Sequence, residues 1–259
     1  MKNWYEIKAA ADGEAAEVYI YAEIGEDLWG DGSSVSAREF VKDLNAISSP
    51  EIALHLNSPG GAVFDGQAIY TALKNHPARV TTYIDGLAAS IASVIALAGD
   101  SVVMAENALF MIHEPHGWAS GTAEAMRTYA TLLEKSGAAM RGVYEARSAL
   151  TEEEVAEAMK AETWYLAEEA LEAGFVDEVA ENIPAAAIAR FDPKALGFKH
   201  VPPALLERLA PEGQTGDAPE APEPAPASGA ADDDSGDSPV TLTDRAVYLL
   251  TQTRHGGSR

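Results

Sequence analysis

In the stretch YIDGLAASIASVIALAG, residues 83–99, a strand-forming segment passes directly into a run of small and apolar residues. Its first part completes a strand predicted over 78–85, and its second part predicts a helix over 89–98. Ser90 therefore lies where a strand ends and a helix begins, beside the free N–H groups of a helix N-terminus. Two interpretations stay open from these residues alone: Ser90 is a nucleophile, or it is a small residue at a close packing contact.

Strands and helices alternate on both sides of this stretch. The alternation predicts an α/β fold with a largely parallel sheet, in which functional sites gather at the carboxyl ends of the strands. A capping box of Ser36 and Glu39 is predicted to start the first helix. The predicted strands are 16–24, 51–57, 78–85, 101–105 and 108–114, and the first three predicted helices are 36–47, 66–76 and 89–98.

The second half of the chain differs in pattern. Residues 121–159 are predicted to be helical, with Thr151 as the cap of a new helix, and a short helix and a final strand then return the chain to the sheet. Residues 1–200 are thus predicted to form one folded domain. Residues 203–259 are rich in Pro, Ala and acidic residues, which predicts a disordered tail, and within it 240–254 has the pattern of a short amphipathic helix.

Composition excludes several classes of site. The 259 residues contain no cysteine, so disulfides, thiolate metal sites and cysteine nucleophiles are excluded. The formal net charge of −23 argues against a nucleic-acid partner, because phosphate contacts need Lys and Arg. There is no run of about 18 uncharged apolar residues, and the N-terminus lacks the apolar segment of a secretion signal. We therefore expect no membrane partner and a cytoplasmic location.

Two further segments carry candidate functional residues. In NSPGGAVFDG, residues 57–66, adjacent glycines can adopt positive φ and leave N–H groups open to an extended peptide or an oxyanion; the alternative is a plain strand-to-helix turn. In FMIHEPHG, residues 110–117, His113 ends an apolar strand and is placed to act as a proton shuttle for a serine at the same sheet edge. The alternatives are a histidine satisfied by local backbone, or His116 in its place.

Metal and cofactor sites are not predicted. Although His113, Glu114 and His116 are close in sequence, the HEPH segment contains a proline and cannot be the helical HExxH motif that binds zinc. A serine–histidine pair also needs an acid that orients the imidazole. Carboxylates are so numerous here that composition does not select one.

The segments NSPGG, GLAAS and MIHEP, in this order, together resemble the proteolytic subunit of the Clp protease, a serine peptidase with a Ser-His-Asp triad. The resemblance extends over about residues 16–180. It implies the α/β spiral of β-β-α units shared with crotonase enzymes, with the helices of 121–159 as a handle through which rings pair. It also implies a nucleophile at Ser90, a general base at His113, an oxyanion hole at the N–H groups of Gly61 and Ile91, and substrate contacts at Pro59, Gly60, Ala62 and Val63.

The resemblance also implies an acid, and here the chain departs from the family. The family carries an aspartate shortly before a segment that reads LAEEALEAGFVD in this chain, residues 166–177. Glu162 occupies the matching position and, although one methylene longer, can still orient His113. Asp177 is the second candidate, but its position fits the final strand better.

The N-terminal part of the chain and the ETW segment at 162–164 resemble a branch of this family, the head maturation proteases of tailed phages and prophages. That branch implies an ATP-independent homo-oligomeric endopeptidase that cleaves capsid and scaffold proteins in the prohead interior, within the host cytoplasm. It leaves room for a self-cleavage site in the tail. The alternatives are a housekeeping subunit served by an ATP-driven unfoldase, an acyl-CoA enzyme of the crotonase type, and a catalytically inactive scaffold protein.

Overall fold

The computed structural model describes residues 5–8, 15–25, 37–181, 193, 196–203 and 205–206. These residues belong to two units. One contains the described residues up to Gly117 and from Thr131 onward, and the described part of the other is Trp118–Ala130. Ser36 of the predicted capping box, the predicted tail beyond residue 206 and the predicted 240–254 helix lie outside the described residues.

Among the described residues there are eight strands and six helices. The strands are β1 (Tyr5–Lys8), β2 (Ala16–Ile20), β3 (Glu51–Ser58), β4 (Arg79–Ala89), β5 (Ser101–Ala105), β6 (Leu109–Ile112), β7 (Thr163–Leu166) and β8 (Glu178–Ala180). The helices are α1 (Ala37–Leu44), α2 (Val63–Lys74), α3 (Ile91–Ala96), α4 (Ala123–Arg147), α5 (Glu152–Ala161) and α6 (Ala167–Glu172). Within this part of the chain, no helix is long and apolar enough to cross a lipid bilayer.

One mixed sheet contains the strands, in the order β1-β2-β3-β4-β5-β8. From β2 to β8 all neighbours in this order are parallel, which confirms the α/β class with a largely parallel sheet. β4 is long enough to pair twice on one side. Thr81–Ile84 pair with β5, and Leu87–Ala89 pair with β6, which in turn pairs with the antiparallel β7. The second half of β4 therefore leads the chain away from β5 and directly to Ser90.

The core forms between the apolar faces of the strands and the helices that cover them. On β3, Ile52, Leu54 and Leu56 are at most 1% exposed and alternate with more accessible residues. All six residues of α3 are buried. A helix that is small or apolar on every side belongs inside a protein, and its burial fixes the turn that precedes it.

The strand predicted over 16–24 ends earlier in the structure. β2 ends at Ile20. Further along the chain, Ile24 forms an isolated parallel bridge with Gly61. Between them, the Ala22 carbonyl accepts a hydrogen bond from Ser58 Oγ at 2.6 Å, which is a side-chain bond and not a ladder bond. The alternating apolar pattern therefore continues past the end of the strand.

Other boundaries also differ from those predicted. The helix predicted over 89–98 begins at Ile91, since β4 continues to Ala89 through its pairing with β6. The helix predicted to begin at Gly66 starts at Val63. β1 and β7 are not predicted at all, because each is a four-residue strand whose existence depends on a distant partner strand.

The predicted helical region 121–159 consists of α4 and α5, and Thr151 caps the second of them as predicted. The Thr151 hydroxyl accepts a hydrogen bond from the Glu154 N–H at 3.3 Å, and the Glu154 carboxylate accepts one from the Thr151 N–H at 2.8 Å. This reciprocal capping box satisfies two N–H groups that a helix start would otherwise leave without partners.

Thr151→Ala removes the capping hydroxyl and is expected to lower the free energy of unfolding by about 1 kcal/mol. Urea unfolding followed by circular dichroism at fixed protein concentration measures the change. Glu157→Ala is the matched control, because the Glu157 side chain is 71% exposed on the same helix and lies outside the box. Its effect should stay within about 0.5 kcal/mol. Equal effects of the two substitutions would contradict the capping assignment.

Candidate active site

The register of β4 and β6 brings Ser90 and His113 together. Ala89, the last residue of β4, lies opposite Met111 on β6, and the Ser90 N–H donates to the Met111 carbonyl at 3.0 Å. His113 directly follows β6, so both side chains leave the carboxyl ends of neighbouring parallel strands. His113 Nε2 lies 2.8 Å from Ser90 Oγ, a hydrogen-bond distance.

Ser90 has a backbone conformation that is costly for a residue with a side chain. Its φ is 57°, and among the described non-glycine residues only Glu162 shares a positive φ. Such strain costs about 1–3 kcal/mol, so other contacts have to maintain it. The Ser90 carbonyl accepts hydrogen bonds from Ser93 N at 3.0 Å, from Ser93 Oγ at 2.5 Å and from the buried Tyr144 hydroxyl at 3.4 Å. These bonds hold the turn that presents Ser90 Oγ to His113.

His113 is buried among rings and is 5% exposed. The His116 and Phe198 rings meet it edge-on, with centroids 5.2 Å and 5.6 Å away. The pKa of His113 is lowered to about 4, chiefly by burial and then by the charge of His116, while the Glu162 carboxylate raises it and Lys199 lowers it again. The imidazole is therefore neutral at neutral pH, and Nε2 can accept a proton.

Glu162 lies across from His113 because β6 and β7 are antiparallel. N–H groups of three other residues donate hydrogen bonds to its carboxylate. Both oxygens accept from the Lys199 N–H at 2.9 Å, and Oε1 also accepts from the His200 N–H at 2.8 Å and from Trp164 Nε1 at 3.4 Å. Among the described residues no hydrogen bond joins Glu162 to His113. The third contact expected of a triad is therefore not made in this conformation.

The glycine turn after β3 lies against Ser90. A Cβ placed on Gly60, whose φ is 99°, would lie 2.7 Å from Ser90 Cβ. In the bridge between Gly61 and Ile24, the Ile24 N–H donates to the Gly60 carbonyl at 2.7 Å, and the Ile24 carbonyl accepts from the Ala62 N–H at 2.8 Å. Because a parallel bridge uses the groups on either side of Gly61, the N–H of Gly61 itself points away from Ile24.

Two backbone N–H groups lie near Ser90, those of Ile91 and Gly61. Ile91 is the first residue of α3, so its N–H has no partner within the helix. Gly61 directly follows Gly60 in the chain. A Cβ placed on Gly60 would lie 2.7 Å from Ser90 Cβ and 3.2 Å from Ile91 N. A serine hydroxyl, a neutral imidazole and free N–H donors are the groups that nucleophilic attack on a carbonyl requires.

Comparison with known proteins places this geometry in a family. The family model described as Clp protease matches residues 28–183. The chain belongs to the Clp protease family. Proteolytic subunit 1 of the ATP-dependent Clp protease from Leifsonia xyli is 33% identical over 137 residues, which are 52% of this chain and 70% of the relative. The corresponding subunit 2 from Tropheryma whipplei is 34% identical over 139 residues, 52% of this chain and 77% of the relative.

A solved Clp structure gives the same result for the fold. A point mutant of ClpP1 from Listeria monocytogenes superposes with a TM-score of 0.55 at 25% identity, covering 64% of this chain and 91% of that chain. This similarity confirms the Clp-like α/β fold expected from the three sequence motifs. Neither this structure nor the sequence relatives supply evidence for the head maturation branch.

The Clp family match ends before the residues that hold Glu162. Phe198, Lys199 and His200 contact the site although they follow the matched region, which stops at residue 183. None of the three was predicted as a site residue from the sequence. The available signal was the apolar character of Phe198 and of Leu205 downstream, which is weak beside the prolines of the same segment.

Other titratable side chains have partners outside the Ser90–His113 pair. Asp177, the second candidate for the acid, pairs with Arg147 and accepts from the Val102 N–H at 2.7 Å, so it ties β5 to the segment that precedes β8. His55 lies 2.9 Å from the buried Asp85. Within the described ranges, no group of three or more His, Cys, Asp or Glu residues is arranged to hold a metal ion.

Gly60→Ala is expected to lower kcat/KM for a short fluorogenic peptide by about fivefold to about a hundredfold, since the strained φ and the collision with Ser90 Cβ together cost about 1–3 kcal/mol. Gly142→Ala is the control, because a Cβ on Gly142 would meet nothing within 4 Å. That substitution should keep activity and raise helix stability by about 0.5–1 kcal/mol. Full activity of Gly60→Ala would show that the glycine turn does not constrain Ser90.

Proposed function

We propose that this member of the Clp protease family is a serine endopeptidase with Ser90 as nucleophile and His113 as general base. The observation that carries the proposal is the 2.8 Å contact of Ser90 Oγ with His113 Nε2, made by a serine with positive φ. Strained residues whose surroundings hold them firmly cluster at functional sites. A serine that served only to allow close packing would have no need of this conformation.

Cleavage then proceeds through an acyl-enzyme. Ser90 Oγ attacks the scissile carbonyl carbon while His113 Nε2 takes the hydroxyl proton. The tetrahedral intermediate collapses, the peptide C–N bond breaks, and His113 gives its proton to the leaving amine. Water attacks the ester of Ser90 while the same imidazole takes its proton. The bond from the acyl carbon to Ser90 Oγ then breaks, the imidazole returns the proton to Oγ, and the second product leaves with a new carboxyl group.

The backbone donors and the acid have separate roles in this mechanism. The N–H groups of Gly61 and Ile91 would stabilise the oxyanion of the intermediate, and losing one such donor typically costs about a hundredfold to a thousandfold in kcat. Glu162 is proposed as the acid that stabilises the imidazolium and fixes its tautomer. In support, its charge raises the pKa of His113 across the ends of β6 and β7.

The segment 59–63 is proposed to line an extended substrate. The Gly60 carbonyl and the Ala62 N–H are already engaged by Ile24. Backbone hydrogen bonds to a substrate strand are therefore expected from Gly61, with the neighbouring residues supplying shape.

A fluorophosphonate probe is expected to label Ser90, as mapped by peptide mass spectrometry. Labelling should be lost in Ser90→Ala, and the labelling rate should fall by several orders of magnitude in His113→Ala because the base is gone. Ser136→Ala is the matched control, since Ser136 is also a buried serine, 8% exposed on α4. Adduct formation at a different serine, or undiminished labelling of Ser90→Ala, would refute the assignment of the nucleophile.

For the biological substrate, capsid and scaffold proteins of a phage prohead are our first proposal. It is supported by the resemblance of the N-terminal part and the ETW segment to head maturation proteases. In that role the protein acts in the host cytoplasm and in the prohead interior. The names of the relatives favour a second candidate, a proteolytic subunit that depends on an ATP-driven unfoldase.

Incubation with capsid and scaffold proteins, and separately with an unfoldase and a folded substrate, distinguishes the two roles. Head maturation predicts discrete cleavages of capsid or scaffold protein without ATP, seen as intact-mass losses that are absent with Ser90→Ala. The proteolytic-subunit role predicts degradation of the folded substrate only when the unfoldase and ATP are both present. Activity in the second assay alone would remove the prohead proposal.

A homo-oligomer, with a ring as the expected form, is part of the same proposal. Met126 and Leu132 on α4 are 41% and 42% exposed. Apolar side chains exposed on a helix of this length favour contact with another protein surface, and a second copy of the chain fits the handle role that the family resemblance implies for residues 121–159.

A further inference from the structure

The 196–206 segment, of which residues 196–203, 205 and 206 are described, packs against the strands that end at the catalytic residues. Phe198 and Leu205 are 9% and 4% exposed. Trp164 of β7 meets Phe198 edge-on, with centroids 5.6 Å apart. The apolar cluster that they form is distinct from the main core, and its other buried members are Leu87, Ala89, Leu109 and Met111.

The same segment donates backbone hydrogen bonds to the carboxylate of Glu162. The Lys199 N–H donates to both oxygens at 2.9 Å, and the His200 N–H donates to Oε1 at 2.8 Å. Hydrogen bonds from N–H groups to a charged acceptor are stronger than neutral ones. The segment therefore fixes where the carboxylate of Glu162 lies.

Two contacts of the segment disfavour the positive charge that His113 acquires during attack. Phe198 packs against the imidazole and helps to bury it, and Lys199 places a like charge near it. In this conformation the Glu162 carboxylate accepts hydrogen bonds from the N–H groups of Lys199 and His200 and none from the His113 ring. Ser90, His116, Glu162 and Lys199 are the titratable or charged groups around His113, and of these only Glu162 favours the imidazolium.

We propose that the 196–206 segment is a positioning element that withholds the acid, so that the conformation described is a resting state. When the segment leaves, the Glu162 carboxylate becomes free to accept a hydrogen bond from the Nδ1–H of His113. The pairing of Ile112 with Thr163 places His113 and Glu162 at neighbouring strand ends, and rotation of the Glu162 side chain is the movement proposed. This inference rests on the proposed function, because it assigns Glu162 as the acid of that site.

Lys199→Pro and Lys199→Ala in the full chain form the matched test. Proline has no N–H, so Lys199→Pro removes the donor that bonds both carboxylate oxygens, whereas Lys199→Ala keeps it. We expect kcat for a short peptide to rise at least about fivefold in Lys199→Pro, as for a two-state element of ordinary coupling energy, with KM little changed. Lys199→Ala loses the same charge but keeps the N–H, so its kcat should stay well below that of Lys199→Pro.

The pH profile of kcat/KM supplies a readout that a merely structural effect would not move. Activity needs neutral His113, so it falls as the pH drops through the pKa of His113, which is about 4 in the resting conformation. A released Glu162 raises that pKa, so the acid limb of Lys199→Pro should lie at higher pH than that of Lys199→Ala. Adding Glu162→Gln to Lys199→Pro should abolish both the gain in kcat and the shift.

Phe198→Ala loosens the segment by a second route and should also raise kcat. If circular dichroism shows that Lys199→Pro does not fold, the kcat of Phe198→Ala tests the proposal in its place. Unchanged or lower kcat in both variants, while fluorophosphonate still labels Ser90, would overturn the inference and leave the peptidase proposal standing. Absence of Ser90 labelling in the wild type and in every variant would overturn both.

Discussion

The parallel register of β4 with β6 is the constraint on which the rest of the site depends. Ala89 lies opposite Met111, and the next residues of the two strands bring Ser90 within 2.8 Å of His113. A slip of one residue would turn the side chains of β6 to the other face and separate the pair. The first half of β4 pairs with β5, so β6 pairs with the second half of β4, which ends next to Ser90.

The residues around Ser90 maintain its strained backbone conformation. Ser93 and Tyr144 hold the Ser90 carbonyl, and Gly60 leaves room for the turn where a larger residue would collide with it. Tyr144 is completely buried and lies on α4, so the position of that helix bears directly on the nucleophile. Glu162 also has a left-handed backbone conformation. It follows the last residue of α5, and its carboxylate lies at the edge of the site.

Sequence reasoning can predict those positions in the fold that depend on local pattern. Ser90 and His113 each follow an apolar strand, so their place at one sheet edge could be predicted from neighbouring residues. The donors to Glu162 could not, because Lys199 and His200 are 37 and 38 residues further along the chain. Tyr144 and Ser93 are 51 residues apart for the same reason. β7 depends on pairing with β6, and no property of four residues alone predicts that partner.

The most direct test of the account is the structure of the chain bound to a peptide boronate. We predict a bond from boron to Ser90 Oγ, with one boronate oxygen about 2.7–3.1 Å from the N–H groups of Gly61 and Ile91, as an oxyanion hole requires. A boronate bonded to another side chain, or one whose oxygens face solvent and contact neither N–H group, would contradict the assignment of the site.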